Sequence, residues 1–189
     1  MRLVVISGHS GSGKTSALNI LEDVGFTCVD NLPSSLLPEL IHQLKEDSSD
    51  PNLQLAVGID ARNLVGDLTK IPKMLSIIEN SGAQVDVIFL KAQRNDLLRR
   101  YSETRRKHPL STDDIGLKEA IDLEESIISP IAQVASLTID TSGLTRHQLR
   151  DLVKNTIVPK AKQQMTILFE SFGFKQRIPN GSDFVFDVR

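Results

Sequence analysis

The chain has one cysteine in 189 residues, no tryptophan and a single tyrosine. A lone thiol, Cys28, excludes an intramolecular disulfide and any multi-cysteine metal site. In "GFTCVD" it reads as a small buried hydrophobe rather than a reactive group. Aromatics make up 4% of residues and the formal net charge is −2, so neither a base-stacking platform nor a surface built throughout for nucleic acid is indicated. No apolar run approaches the ~20 residues of a membrane span. The apolar part of "MRLVVISG" is too short for a signal peptide. A reducing, cytoplasmic setting with no membrane partner is the expectation. Two motifs are absent as well. No N-K-x-D follows to read a guanine, and no acidic run after a strand supplies an obvious hydrolytic base.

What is present alternates. Apolar, β-branched runs at 2–7, 26–30, 53–60, 85–90 and 136–140 predict five strands. Helical-period segments fall between them: "SALNILEDV", "SSLLPELIHQLKE", "LTKIPKMLSIIEN", a long stretch through "DLLRRYSETRRKH" and "LKEAIDLEESIISPIA", and "RHQLRDLVKNTIVPKAK". Strand–helix alternation predicts an α/β, three-layer fold with a mostly parallel five-stranded sheet. After about Lys162 the alternation gives way to "QMTILFESFGF" and "DFVFDVR". This predicts a domain over 1–162 and the start of a second unit over 163–189. The closing run "FVFDVR" is expected to be mobile or to pair with a second copy of the chain, giving a homo-oligomer.

The strongest motif lies between the first strand and the first helix. "GHSGSGKT" satisfies G-x-x-x-x-G-K-[ST] at Gly8, Gly13, Lys14 and Thr15. Glycines let successive backbone N–H groups curl around a phosphate, and the following helix turns its positive end there. Lys14 is the catalytic charge expected on the outer phosphates, and the Thr15 hydroxyl is a candidate Mg2+ ligand. Ser10, Gly11 and Ser12 complete the cradle. His9 reads as a spacer, because such a loop acts through its backbone. The rival dinucleotide fingerprint G-x-G-x-x-G is absent from this turn.

Magnesium needs oxygen ligands at a neighbouring strand end. Asp60 in "VGIDARN" is the first choice, in catalytic and metal roles, and Asp30 in "CVDNLP" suits a second substrate or an attacking water. A strand-end turn or helix cap is the alternative use of either aspartate. A third feature is "RRYSETRRKHP". Read as continuing helix, it places Arg99 and Arg106 on one face and pairs Glu103 with Lys107. Such arginines can form a lid that neutralises transition-state charge, Arg106 among them, or merely a solvated basic face. "IDTSGLT" predicts Ser142 or Thr145 as the N-cap of the last helix.

Together, "SGHSGSGKTSALNILEDVGFTCVDNLP", "DARN", "RRYSETRRKHPL", "IDTS" and "FESFGFKQRIPNGSDFVFDVR" resemble the RapZ/YvcJ family of bacterial P-loop proteins. The resemblance implies a kinase-like domain that binds and slowly hydrolyses ATP and GTP. By position it implies an ATP site over Gly8–Thr15, and it associates Asp60, Ala61, Arg62 and Asn63 with GTP. It further implies an adaptor role in RNA-linked control of amino-sugar synthesis for longer members. RNA and amino-sugar phosphate binding belong to a further domain of those members and are not expected of these 189 residues. The chain departs from the pattern at Lys91, where an acid is common, and more mildly at Ala61. A small-molecule kinase and a non-catalytic nucleotide sensor are the alternatives.

Overall fold

The computed structural model describes residues 1–47, 52–61, 70–157 and 186. The chain divides into two units, Met1–Pro159 and Lys160–Arg189, and the sheet and its helices belong to the first. The closing run "FVFDVR" lies outside the described residues apart from Phe186.

The expected sheet forms. β1 (Arg2–Gly8), β2 (Thr27–Val29), β3 (Gln54–Gly58), β4 (Gln84–Lys91) and β5 (Leu137–Asp140) make one sheet in the order β2-β3-β1-β4-β5. Every pairing is parallel. Central β1 explains why its sequence is apolar without alternation: Leu3, Val4, Val5 and Ile6 are each 0% exposed, since both faces of a parallel strand are covered.

The two faces are covered by different helices. Leu3, Val5, Leu55, Val57, Val87 and Phe89 pack under α2 (Leu37–Asp47), α3 (Ile71–Asn80) and α5 (Leu117–Gln133), through residues such as Ile41, Leu75, Ile128 and Ile131. Their alternate neighbours Val4, Ile6, Ala56, Ile88 and Leu90 pack under α1 (Lys14–Asp23) and α6 (Arg146–Ile157), through Leu18, Leu21, Leu149 and Val153. The period of two along each strand assigns residues to a face, and the helices close three layers. Cys28 is half-buried, and its thiol donates to the Leu18 carbonyl at 3.3 Å. Burial, and then Glu22, push its pKa up to about 11, which agrees with an unreactive packing role.

One expectation fails at the basic stretch. α4 (Arg94–Thr104) ends before Arg106 instead of running through it. Arg105 takes the left-handed conformation (φ 52°) and its N–H bonds the Tyr101 carbonyl, which closes the helix. Arg99 and Arg106 therefore share no helix face, and Glu103 lies near Arg99 (3.8 Å) rather than pairing one turn on with Lys107. Three residues beyond the turn, the His108 side chain is fully buried.

Candidate functional site

The five strands all point their carboxyl ends to one edge, where ligands bind in open parallel sheets. The loop after β1 sits there. Gly8 has a φ of 137°, and a Cβ on it would stand 1.9 Å from the Leu90 carbonyl oxygen, so only glycine lets β1 turn this close to β4. Gly13 (φ 104°) faces Leu149 of α6, and a Cβ there would come within 2.7 Å of the leucine side chain. Between them Ser12 N–H returns to the His9 carbonyl at 3.0 Å, and Ala17 N–H to Gly13 at 2.9 Å, opening α1.

Lys14 folds back over this turn. Its Nζ donates to the Gly8 carbonyl at 2.8 Å and to the His9 carbonyl at 3.1 Å. The Ser12 hydroxyl is buried and makes no hydrogen bond among the described residues. His9 packs against β4: its Nδ1 accepts the Ala92 N–H at 3.4 Å and the ring meets Phe89 edge-on. Burial lowers its pKa most, against the raising effect of Glu124, so the neutral ring is favoured.

A cleft of about 600 Å³ opens over the loop, lined by Ser10 to Ser16 and by both aspartates, Asp30 and Asp60. The Thr15 hydroxyl donates to Asp30 Oδ2 at 2.8 Å. Asp60 is buried (4% exposed), two residues beyond β3. Ala61 is fully buried among Ile59 and Ile71 and offers the cleft no polar group. Arg62 and Asn63 lie outside the described residues.

The basic residues divide by role. Arg99 is bridged to Asp96 at 2.7 Å. Arg100 reaches across to the loop: its guanidinium donates to the Gly11 carbonyl at 2.9 Å and to the Thr141 hydroxyl at 3.1 Å. Thr141, 1% exposed after β5, in turn donates to the Ser12 carbonyl at 2.9 Å. Arg106 and Lys107 line the cleft beyond α4 and have no ion pair or hydrogen bond among the described residues. The two candidates for the cap of α6 part company. Thr145 caps it, its Oγ1 accepting the Gln148 N–H, while the Ser142 hydroxyl accepts the Gln93 N–H at 2.8 Å, before α4.

Sequence reasoning missed two residues altogether. Glu124 of α5 is 0% exposed and accepts the Ser10 N–H at 2.8 Å and the Ser10 hydroxyl at 2.5 Å. His108 lies against its Oε2 at 3.3 Å. Burial acts to raise the pKa of Glu124, but the bonds from His108 and Ser10, with the Lys14 charge, outweigh it and hold the carboxyl below its usual range. In sequence Glu124 is one of two adjacent glutamates in "LEESII", and only its helical phase marks it as inward.

The order β2-β3-β1-β4-β5 and the glycine–lysine turn are those of a P-loop domain of the kinase-like type, and comparison with known proteins agrees. A family model described as the RapZ-like N-terminal domain matches residues 1–161. The chain belongs to this family. "Nucleotide-binding protein" of Saccharophagus degradans is 50% identical over 189 residues, and one of Cellvibrio japonicus is 51% identical. The alignments cover 100% of this chain but 65% and 63% of those relatives, so the chain spans less than two thirds of their length. Among solved structures, a sugar kinase from Janibacter shares the fold at TM-score 0.53 and 16% identity, covering 87% of this chain and 99% of that one. The YorR protein of Bacillus subtilis, in complex with phosphorylated GDP, does so at TM-score 0.53 and 13% identity, covering 86% and 99%. No described helix of this RapZ-like chain is long and apolar enough to cross a membrane.

Proposed function

We propose that this RapZ-like chain binds a magnesium-bound nucleoside triphosphate, ATP or GTP, over the loop Gly8–Thr15 and hydrolyses it slowly. The observation that carries the reading is the loop itself. Its Ser12 hydroxyl is buried without a partner among the described residues, while Lys14 rests on two loop carbonyls that a phosphate can replace as its acceptor. Thr15, Asp30 and Asp60 are oxygen donors lining the same cleft, the donor type that magnesium takes. Held by Thr15 and Asp60, magnesium would supply neutralisation of the charge on the phosphates.

The chain's own residues then have separable tasks. The loop amides and Lys14 orient the phosphates, and Thr15 with Asp60 holds the metal, Asp30 standing on the Thr15 hydroxyl. Arg106 supplies positive charge from the cleft wall. Slow turnover follows from the carboxylates. Asp30 is bonded to Thr15, Asp60 is itself engaged, and Glu103 lies on α4 beside Arg99, so each has another partner to give up before it acts as a base for water.

Titration of the chain with ATP and with GTP, each with magnesium and with chelator, tests the binding, and phosphate release tests the hydrolysis. Asp60→Asn is expected to weaken binding about tenfold with magnesium present and little without it. Equal losses in both conditions would make Asp60 a strand-end cap.

A kinase acting on a small molecule is the second reading, favoured by the exposed Asp30 carboxylate at the cleft, which could orient an acceptor hydroxyl. Phosphate transfer seen only with an acceptor present would favour it. For the longer relatives, the family resemblance supports a proposed adaptor role, with RNA and amino-sugar phosphate as partners of the portion that this chain does not span. A cytoplasmic location accords with these partners.

A further inference from the structure

One buried carboxylate touches both sides of the cleft. On the loop side, both donors of Ser10 end on Glu124, the N–H on Oε2 and the hydroxyl on Oε1. On the other side stands His108, the residue that follows Arg105, Arg106 and Lys107. The Leu110 N–H donates to His108 Nδ1 at 3.2 Å, so that nitrogen carries the lone pair and the ring proton sits on Nε2, which donates to Glu124 at 3.3 Å. Tyr101 of α4 packs on the ring at 5.2 Å between centroids. Both side chains of the His108–Glu124 contact are 0% exposed. The Ser10 amide is thus spent on a side chain from another layer of the fold.

We propose that Glu124 is a positioning residue that couples the basic segment to the phosphate loop, so that seating phosphates on the loop and holding Arg106 and Lys107 at the cleft become one event. A buried, ionised carboxylate with three charge-assisted bonds is satisfied only in one arrangement of its donors, because an unmet bond at that depth is costly. Shifting Ser10 therefore shifts Glu124, and with it His108 and the two residues before it. Arg105 at φ 52° ends α4 just ahead of them, leaving Arg106 and Lys107 between that turn and the buried ring. Their position is set from both ends, by the turn that closes α4 and by the buried ring.

The coupling rests on the proposed triphosphate binding, and the test separates the two. Binding of ATP–magnesium is measured by calorimetry for the parent chain, Glu124→Gln, Arg106→Ala and the double variant. Losses of about tenfold and about fivefold are expected for the single variants, and the double variant is expected near tenfold instead of the roughly 50-fold of independent sites. Multiplicative losses would overturn the coupling and leave the binding intact. Hydrogen exchange of the nucleotide-free chain supplies a readout that needs no ligand. Glu124→Gln is expected to reduce protection both in residues 9–15 and in 106–111, whereas loss in the loop alone would overturn the proposal. If the parent binds no nucleotide, the function reading fails and exchange alone decides the coupling. If Glu124→Gln does not fold, Ser10→Ala takes its place in both measurements, since it removes one bond and leaves the carboxylate two donors.

Discussion

The phosphate loop and the basic segment of residues 105–110 face the same cleft but are built in opposite ways. The loop is held along its whole length: Gly8 against Leu90, Ser10 on Glu124, Gly11 under Arg100, Ser12 on Thr141 and Lys14 on its own carbonyls. The segment is held at its ends, by the turn at Arg105 and the buried His108, while Arg106 and Lys107 present charge to the cleft without a partner among the described residues. A cradle for phosphate must be organised before the ligand arrives, because backbone amides act only in a fixed geometry. Cations that meet the ligand from the wall need only be brought near it. The same stretch "RRYSETRRK" thus supplies both kinds of arginine. Arg100 is a strut of the loop, and Arg106 faces the cleft.

The contrast can be broken from the cradle side first. Gly8→Ala forces a Cβ to within 1.9 Å of the Leu90 oxygen at a positive φ, and a stability loss of about 3–5 kcal/mol is expected in chemical denaturation. An unchanged denaturation midpoint would mean the turn is not rigid. Lys14→Ala is next. Triphosphate affinity is expected to fall about 100-fold while the melting temperature falls little, because the two loop carbonyls that Lys14 gives up lie at the cleft and not in the core. Parent-like binding by this variant would sink the phosphate-loop reading.

The third test uses acid. Glu124 has its folded pKa held below the ordinary value, so its contribution is present above the normal glutamate range and is lost as pH falls through the folded value. Stability of the parent is expected to drop more steeply than that of Glu124→Gln as pH falls below the ordinary glutamate range. Parallel acid titrations of the two proteins would remove Glu124 from the framework of the loop. The smallest effects sharpen the division between arginines. Arg100→Ala is expected to cost about 1–2 kcal/mol of stability, through the Gly11 and Thr141 oxygens it abandons. Arg106→Ala should change stability by less than about 0.5 kcal/mol. Reversed stabilities would exchange their roles.

Much of this architecture is legible in the chain. Apolar runs separated by helical periods mark all five strands, with β1 and β5 placed nearly to the residue. The turn from Gly8 to Thr15 is legible because its geometry is local: the glycines that shape it lie within the motif itself. The basic stretch misleads for the opposite reason. Seven-residue spacing between arginines suggests a helix face, but the helix ends where Arg105 turns and His108 enters the core.

By itself, then, the sequence determined the strand–helix alternation, the turn after β1 and the residue types available at the sheet edge, all of which depend on neighbours within one or two turns of chain. The partners across the cleft were decided by the tertiary structure alone. Glu124 meets Ser10 across 114 positions and Arg100 meets Thr141 across 41, contacts that exist only once helices α4 and α5 have packed beside the sheet. Buried hydrogen bonds of this kind are satisfied by whatever the fold brings within about 3 Å, and distance along the chain carries no trace of them.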